Sequence, residues 1–226
     1  MKIFVSCGEV SGDIYAGGFI REALKICPYA KIYGMLGPEG VKAGGVARWS
    51  YDELKLMGLL EIVPAIPRIL RLKRNIAREI LRVNPESVVL VDSPDFHLML
   101  AKSLRKSGYG GKIISLSPPT VWAWRPGRVV NLRRDFDFCL PLFSFEHEYL
   151  LSHGVKSLWQ SHPLVREMKG VKVSDSFRKD SAMRILSPSC REAGTTIYAI
   201  TSIYSSARRK FCGLTDICRC SLSLRG

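Results

Sequence analysis

Short apolar runs alternate with amphipathic segments from Lys2 to Trp159, which is typical of an α/β fold. The run Val88–Val91 is continuously apolar, and this favours a strand covered on both faces of a sheet. Five further segments predict strands: Lys2–Ser6, Lys31–Gly34, Lys112–Ser117, Asp137–Leu140 and Val155–Trp159. We therefore expect a doubly wound parallel sheet, Rossmann-like in its opening strand, glycine turn and helix.

Helical patterns fill the spaces between these strands. Apolar spacing predicts helices over Pro67–Val83 and Phe96–Ser107, and a shorter helix that ends at Ser152. The apolar segment Leu54–Ile69 contains Pro64 and Pro67, so we expect it not to form one long helix. It either folds into the core or forms an exposed apolar patch.

Two carboxylates follow the central strand directly. Asp92 and Asp95 lie three residues apart, and Pro94 stiffens the turn between them. Ligands of open α/β sheets bind outside the carboxyl ends of the strands, so these residues are the candidate catalytic pair. The alternative is that one of them only caps the helix that begins near Phe96.

The turn after the first strand, Cys7–Asp13, provides candidate binding residues. It does not match the dinucleotide fingerprint GxGxxG. Its glycines allow a ligand to approach the backbone, whereas Ser11 and Asp13 could simply start the next helix. The glycines Gly8 and Gly12 are therefore the predicted ligand-binding residues of this turn.

A second group of candidate binding residues follows the strand Lys112–Ser117. Trp122 and Trp124 could form an apolar wall, and Arg125 and Arg128 could pair with a phosphate. The alternative is a corner of the fold packed around tryptophan.

The helix Pro67–Val83 is strongly basic, and the segment before it is apolar. Such a combination is typical of elements that lie on a membrane surface, although a solvated outer helix shows the same pattern. The predicted membrane or acyl contacts are Met57, Leu59, Leu60, Ile62, Val63, Ile66, Arg68, Arg71 and Arg74.

Composition narrows the class of protein. With 226 residues and 46 % hydrophobic content the chain can bury a core, and the formal charge of +14 indicates an anionic partner. No motif supports nucleic acid, no ligand spacing indicates a metal, and no cofactor is implied. No spanning segment or leader is recognised, which predicts a cytoplasmic protein. From residue 166 onward we expect an irregular basic tail rich in Ser and Cys, and a frameshift is the hypothesis for its change of composition.

Six ordered motifs together resemble lipid-A-disaccharide synthase, a bacterial glycosyltransferase family with two Rossmann domains. They are GEVSGD (8–13), GPEG (37–40), MGLLEIV (57–63), VDSPDF (91–96), SPPTVWAWRPGR (117–128) and LFSFEHEYL (142–150). The resemblance covers residues 1–165, which would form the acceptor-binding domain.

The resemblance implies a reaction and its partners. UDP-activated 2,3-diacylglucosamine would be joined to 2,3-diacylglucosamine 1-phosphate with release of UDP, at the inner face of the inner membrane. Asp92 would be the base, and Asp95 would orient it or cap the next helix. The substrate-binding residues Glu9, Ser11 and Asp13 would line the acceptor side of the cleft. The second domain of the family is not recognisable here, so we expect an acceptor half that is inactive by itself. Two alternatives remain, a fragment of a sugar-nucleotide epimerase and a membrane-surface or acyl-lipid-binding module without catalysis.

Overall fold

A computed structural model describes residues 1–54 and 62–159 of the chain, and side chains in the second range from residue 65 onward. The predicted tail and the predicted boundary at residue 165 lie outside the described residues. Within the described part, six parallel strands form one sheet. They are β1 (Lys2–Cys7), β2 (Lys31–Leu36), β3 (Val46–Ser50), β4 (Ser87–Val91), β5 (Lys112–Leu116) and β6 (Phe138–Leu140).

The order of the strands is β3-β2-β1-β4-β5-β6, and every pairing is parallel. The chain builds the sheet outward from β1 in one direction and then returns to place β4 on its other side. This is the order of a doubly wound Rossmann-like sheet. The predicted fold class is confirmed.

Helices connect the strands. They are α1 (Val10–Ile26), α2 (Pro38–Lys42), α3 (Ile62–Val83), α4 (Pro94–Lys106), α5 (Val129–Asp135) and α6 (Ser144–Ser152), with short 3-10 turns at Tyr51–Leu54 and Pro126–Arg128.

Hydrophobic side chains are buried on both faces of the sheet. Because successive side chains of a strand point to opposite faces, neighbours in β1 and β4 join different clusters. Phe4 and Leu90 pack with residues of α3 and α4, whereas Val5 and Val89 pack against α1. The central strands are thus fully covered, which explains their continuous apolar sequence.

The prediction for Leu54–Ile69 was wrong in one respect. Helix α3 begins at Ile62, five residues before the predicted start, and continues through Pro64 and Pro67. Pro64 is the third residue of this helix and removes little, because the first four backbone N–H groups have no partner inside the helix. Pro67 lies inside the helix, where its missing N–H removes one backbone hydrogen bond. Residues 55–61 lie outside the described residues.

Strands at the margins of the sheet differ from the sequence expectation. Strand β3 was not predicted because it is an edge strand whose residues are mostly exposed, so no buried apolar run marks it. The predicted strand Val155–Trp159 is represented by one bridge, between Cys139 and Ser157. Helix α5 was also missed, since its seven residues are too few to show a periodic pattern.

Candidate active site

The candidate site lies where β1 and β4 run side by side at the centre of the sheet. The chain leaves these two strands toward opposite sides, and ligands of such folds bind in the crevice at this point. Ser11, in the first turn of α1, donates a hydrogen bond from Oγ to Oδ2 of Asp92, at 3.2 Å. Residues from two distant sequence segments thus meet at the carboxyl edge, where the sequence placed them.

Asp92 and Ser93 form an uncommon turn at the end of β4. Their φ angles are 56° and 46°, so two consecutive residues other than glycine occupy the left-handed region. Each such residue costs roughly 1–3 kcal/mol and persists only when its surroundings enforce it. The Asp92 carboxylate accepts the backbone N–H of Ser93 at Oδ1, at 2.9 Å, and is only half-buried. It is therefore oriented but still accessible.

Gly8 and Gly12 allow the start of α1 to approach this turn. A Cβ atom at Gly8 would lie 2.0 Å from Ser93 Oγ, and one at Gly12 would lie 3.4 Å from Asp92 Cβ. A side chain at Gly8 would therefore displace Ser93. These glycines therefore allow the start of α1 to pack closely against the turn after β4, which is a contact within the protein and not the predicted approach of a ligand.

Asp13 lies inside the protein and away from the crevice surface. Its side chain is 3 % exposed, and its carboxylate accepts the backbone N–H groups of Gly37, Glu39 and Gly40 at 2.8–3.1 Å. The carboxylate thereby fixes the start of α2 against α1. The predicted direct contact of Asp13 with substrate is at odds with this burial, whereas Glu9, at the start of α1, is exposed.

Asp95 forms an exposed ion-pair cluster with the two predicted arginines. Its carboxylate contacts Arg128 Nη2 directly and lies 3.5 Å from Arg125 Nη1. The side chains of Asp95 and Arg125 are 74 % and 58 % exposed, respectively, whereas that of Arg128 is only 14 % exposed. The structure therefore brings these three residues together, and Asp95 faces the arginines.

The two predicted tryptophans have different surroundings. Trp122 donates from Nε1 to the buried carboxylate of Glu146, at 2.9 Å, and its ring meets Phe145 edge to face at 4.9 Å. Trp124 is more exposed, and the guanidinium of Arg125 lies 5.5 Å from its ring centre. Phe143 stacks on Phe145, and both are about half exposed.

Sequence reasoning missed these aromatic residues as site candidates. Phe143, Phe145 and Glu146 belong to the motif LFSFEHEYL, which carried the family resemblance without any assigned role. The alternation of exposed aromatic residues at the start of a helix was the signal that could have indicated them.

His97 was missed as well. It lies in α4 directly behind the Asp92 turn, with its Nδ1 2.6 Å from the Asp92 carbonyl oxygen and its Nε2 2.9 Å from Ser6 Oγ. Burial lowers the pKa of His97 to about 4, although the hydrogen bond to Asp92 acts in the opposite direction. Burial raises the pKa of the Tyr15 hydroxyl, and the nearby negative charge of Asp92 raises it further.

The proposed membrane contacts are described only in part. Ile66, Arg68, Arg71 and Arg74 are exposed on α3, while Leu72, Ile76 and Ile80 of the same helix are buried in the core. Of the others, Ile62 and Val63 lie in the first turn of α3, and Met57, Leu59 and Leu60 lie outside the described residues.

The described residues contain neither a membrane-spanning helix nor a cluster of metal ligands. No described helix is long and apolar enough to cross a membrane. No group of three or more His, Cys, Asp or Glu side chains in ranges 1–54 and 65–159 is arranged to hold a metal ion.

A doubly wound parallel sheet with an oriented carboxylate at its switch point defines a Rossmann-like α/β protein with a candidate active site. The model of one family, lipid-A-disaccharide synthetase, matches residues 3–188. The chain belongs to this family.

Curated relatives carry the name lipid-A-disaccharide synthase. The protein of Solibacter usitatus is 40 % identical over 165 residues, which are 72 % of this chain and 42 % of the relative. That of Chlamydia pneumoniae is 35 % identical over 176 residues, which are 78 % of this chain and 29 % of the relative. The chain thus spans less than half the length of these relatives.

Solved structures resemble the chain at the level of general architecture. A lipopolysaccharide outer core galactosyltransferase, WaaB, matches 69 % of this chain and 43 % of its own length with a TM-score of 0.46 and 16 % identity. The apo structure of OtsA matches 81 % of this chain and 55 % of its own length with a TM-score of 0.45 and 15 % identity. Similarity at this level carries no inference about function.

Proposed function

We propose that the described residues form the acceptor side of a lipid-A-disaccharide synthase. The reaction would transfer 2,3-diacylglucosamine from UDP to 2,3-diacylglucosamine 1-phosphate and release UDP. The observation that carries the proposal is Asp92, whose half-buried carboxylate is held at the switch point in a strained left-handed turn. Family membership then supplies the chemistry for which a carboxylate at this place is suited.

Asp92 would act as the general base. It would take the proton of the acceptor 6-hydroxyl while that oxygen forms a bond to the anomeric carbon of the donor sugar. The bond between that carbon and the UDP oxygen would break, and UDP would keep the electron pair. A single displacement of this kind inverts the sugar, and a positioned base typically contributes about 10²- to 10⁴-fold to the rate.

The cluster of Asp95, Arg125 and Arg128 would bind the 1-phosphate of the acceptor. One carboxylate between two guanidinium groups leaves a net positive charge, and the exposed guanidinium of Arg125 can donate to phosphate oxygens while the more buried Arg128 adds its charge. Asp95 would hold the arginines in place before the phosphate arrives. Trp122 and Trp124 would flank the sugar or its acyl chains, and Glu9 and Ser11 would line the opposite wall.

The basic face of α3 would bring the protein to the inner face of the inner membrane. Arg68, Arg71 and Arg74 are exposed along the helix together with Ile66, and anionic lipids attract such side chains. We expect binding to vesicles that contain phosphatidylglycerol, and a loss of binding when salt shortens the range of charge interactions. A triple change of these arginines to glutamine should abolish the binding.

The reaction is tested in a full-length relative, because the chain spans less than half of the relatives' length. Replacing the residue that aligns with Asp92 by Asn should lower turnover by about 10²- to 10⁴-fold and leave the acceptor KM nearly unchanged. A matched control is Glu to Gln at the position of Glu148, an exposed residue of α6.

Unchanged turnover in the Asp92 variant would reject Asp92 as the base. A second arm uses the present chain, from which we expect acceptor binding without disaccharide formation. Product formed by the purified 226-residue chain would contradict its assignment as an acceptor half. Binding to anionic vesicles with no affinity for the acylated sugar phosphate would favour the membrane-surface module instead.

A further inference from the structure

His97 contacts the Asp92 turn through both its side chain and its backbone. Its ring Nδ1 lies 2.6 Å from the carbonyl oxygen of Asp92, and its backbone N–H donates to the carbonyl of Ser93 at 3.1 Å. The backbone N–H of Asp92 donates to Leu116 of β5 at 3.0 Å. The carbonyl groups of both left-handed residues are therefore held by one residue, His97.

The hydrogen bonds define the protonation of the ring. A backbone carbonyl oxygen can only accept, so Nδ1 of His97 must carry a proton and donate it to Asp92. The ring is neutral near pH 7, because its side chain is 3 % exposed and burial opposes a charge. Nε2 must then accept, and the hydroxyl of Ser6 in β1 donates to it at 2.9 Å.

Ser6 is itself fully buried, so the chain of bonds from Ser6 to His97 to Asp92 lies in the interior. It joins β1 to the turn after β4 through α4. Without the donor of His97, the Asp92 carbonyl would lose its partner and the turn would lose one of the contacts that offset its strain. The sequence Asp92–His97 thus carries both the candidate base and the group that orients it.

We propose that His97, oriented by Ser6, is a positioning residue that keeps Asp92 in its left-handed conformation with the carboxylate on the crevice. This inference rests on the proposed function only in naming Asp92 as the base; the conformational role is a property of the chain without ligand. His97 itself touches neither substrate nor the reacting atoms.

The first test measures the tautomer of His97 in the unmodified chain. Nitrogen-15 NMR of the imidazole should show Nδ1 protonated and Nε2 without a proton between about pH 6 and pH 8, where the His97 ring is expected to be neutral. An Nδ1 without a proton would overturn the proposal, because it could then not donate to the Asp92 carbonyl. No ligand and no activity enter this measurement.

The second test compares His97→Asn with His97→Leu. Asn retains a side-chain N–H that can reach the Asp92 carbonyl, whereas Leu retains only volume. The readout is the nuclear Overhauser effect between the amide proton and Hα of Asp92 and of Ser93, which is strong only when φ is positive. We expect it to persist in His97→Asn and to weaken in His97→Leu.

His147→Leu is the matched control. Its Nδ1 also lies 2.9 Å from a serine hydroxyl, Ser157, but on α6 and away from the Asp92 turn. The signals of Asp92 and Ser93 should not change in this variant. Positive φ retained in His97→Leu would overturn the proposal; if that variant does not fold, the tautomer measurement and His97→Asn decide.

Acceptor binding separates this proposal from the proposed function. With both correct, His97→Leu should weaken binding of 2,3-diacylglucosamine 1-phosphate by about tenfold, and His97→Asn should restore most of it. A turn that relaxes in His97→Leu supports the role of His97 even if turnover of the Asp92 variant in a full-length relative rejects the base.

Discussion

The amino edge and the carboxyl edge of the sheet both carry an arginine paired with an aspartate, but in different environments. At the amino edge Arg105 donates to the carbonyls of Asp135, Tyr109 and Gly111 and pairs with Asp137, and both charged side chains are about three-quarters buried. At the carboxyl edge the side chain of Arg128, which contacts Asp95, is only 14 % exposed, whereas Asp95 and Arg125 are mostly exposed. The guanidinium of Arg105 is occupied by the protein itself, whereas the exposed guanidinium of Arg125 keeps donors available for a ligand.

The amino-edge pair should give the largest effect on stability. Arg105→Leu leaves three carbonyl groups without their donor and removes the guanidinium partner of Asp137, although that carboxylate keeps the Ile113 N–H and Lys112. We expect a loss of about 3 kcal/mol in the free energy of unfolding. Arg125→Leu removes an exposed partner and should cost less than about 1 kcal/mol. Urea unfolding of both variants measures the difference, and equal losses would contradict the comparison.

Two aspartates predicted for the same site, Asp13 and Asp95, also differ in how deeply their side chains are buried. Asp13→Asn replaces a buried carboxylate oxygen by an N–H group that faces backbone donors, so we expect a loss of about 2 kcal/mol. Asp95→Asn should change stability by less than about 1 kcal/mol, because that side chain is 74 % exposed. A thermal melt of each variant tests this. If Asp13→Asn were more stable than Asp95→Asn, the role of Asp13 in fixing α2 would be refuted.

The buried histidine at the carboxyl edge predicts a dependence of stability on pH. The pKa of His97 is about 4 in the folded chain and about 6.5 when unfolded, so the unfolded state binds more protons between these values. Stability should therefore fall as pH decreases from about 6.5 toward 4, by about 2 kcal/mol at pH 5. His97→Asn should flatten this part of the profile relative to the unmodified chain, and identical profiles would contradict the assignment.

The sequence was sufficient for the central strands but not for the margins of the sheet. Val88–Val91 is recognisable from the sequence because a strand buried on both faces must be apolar throughout. The edge strand β3 has no such constraint. Helix α3 was predicted too short because both prolines were treated as breaks, whereas Pro64 lies in its first turn and Pro67 is accommodated inside it at the loss of one backbone hydrogen bond.

The sequence predicted which residues lie at the carboxyl edge of the sheet better than it predicted the orientation of their side chains. The topology of the fold brings Asp92, Ser11 and the arginines to one edge, so their proximity follows from the strand order. Whether a side chain at that edge points outward depends on neighbours distant in sequence. Asp13 is turned inward by the backbone of the β2–α2 turn, and His97 by Ser6 of β1.

The smallest predicted effect on the free energy of unfolding concerns the two tryptophans of the carboxyl edge, Trp122 and Trp124. Trp122→Phe removes the indole N–H that satisfies the buried carboxylate of Glu146, so we expect a loss of about 1 kcal/mol in urea unfolding. Trp124→Phe keeps the aromatic face beside Arg125 and should change stability by less than about 0.5 kcal/mol. Glu146→Gln in the Trp122→Phe background should recover part of the loss, because an unpaired amide costs less to bury than an unpaired carboxylate. If the two tryptophan variants are equally stable, the bond between Trp122 and Glu146 does not hold the start of α6, and both indoles are available to a ligand.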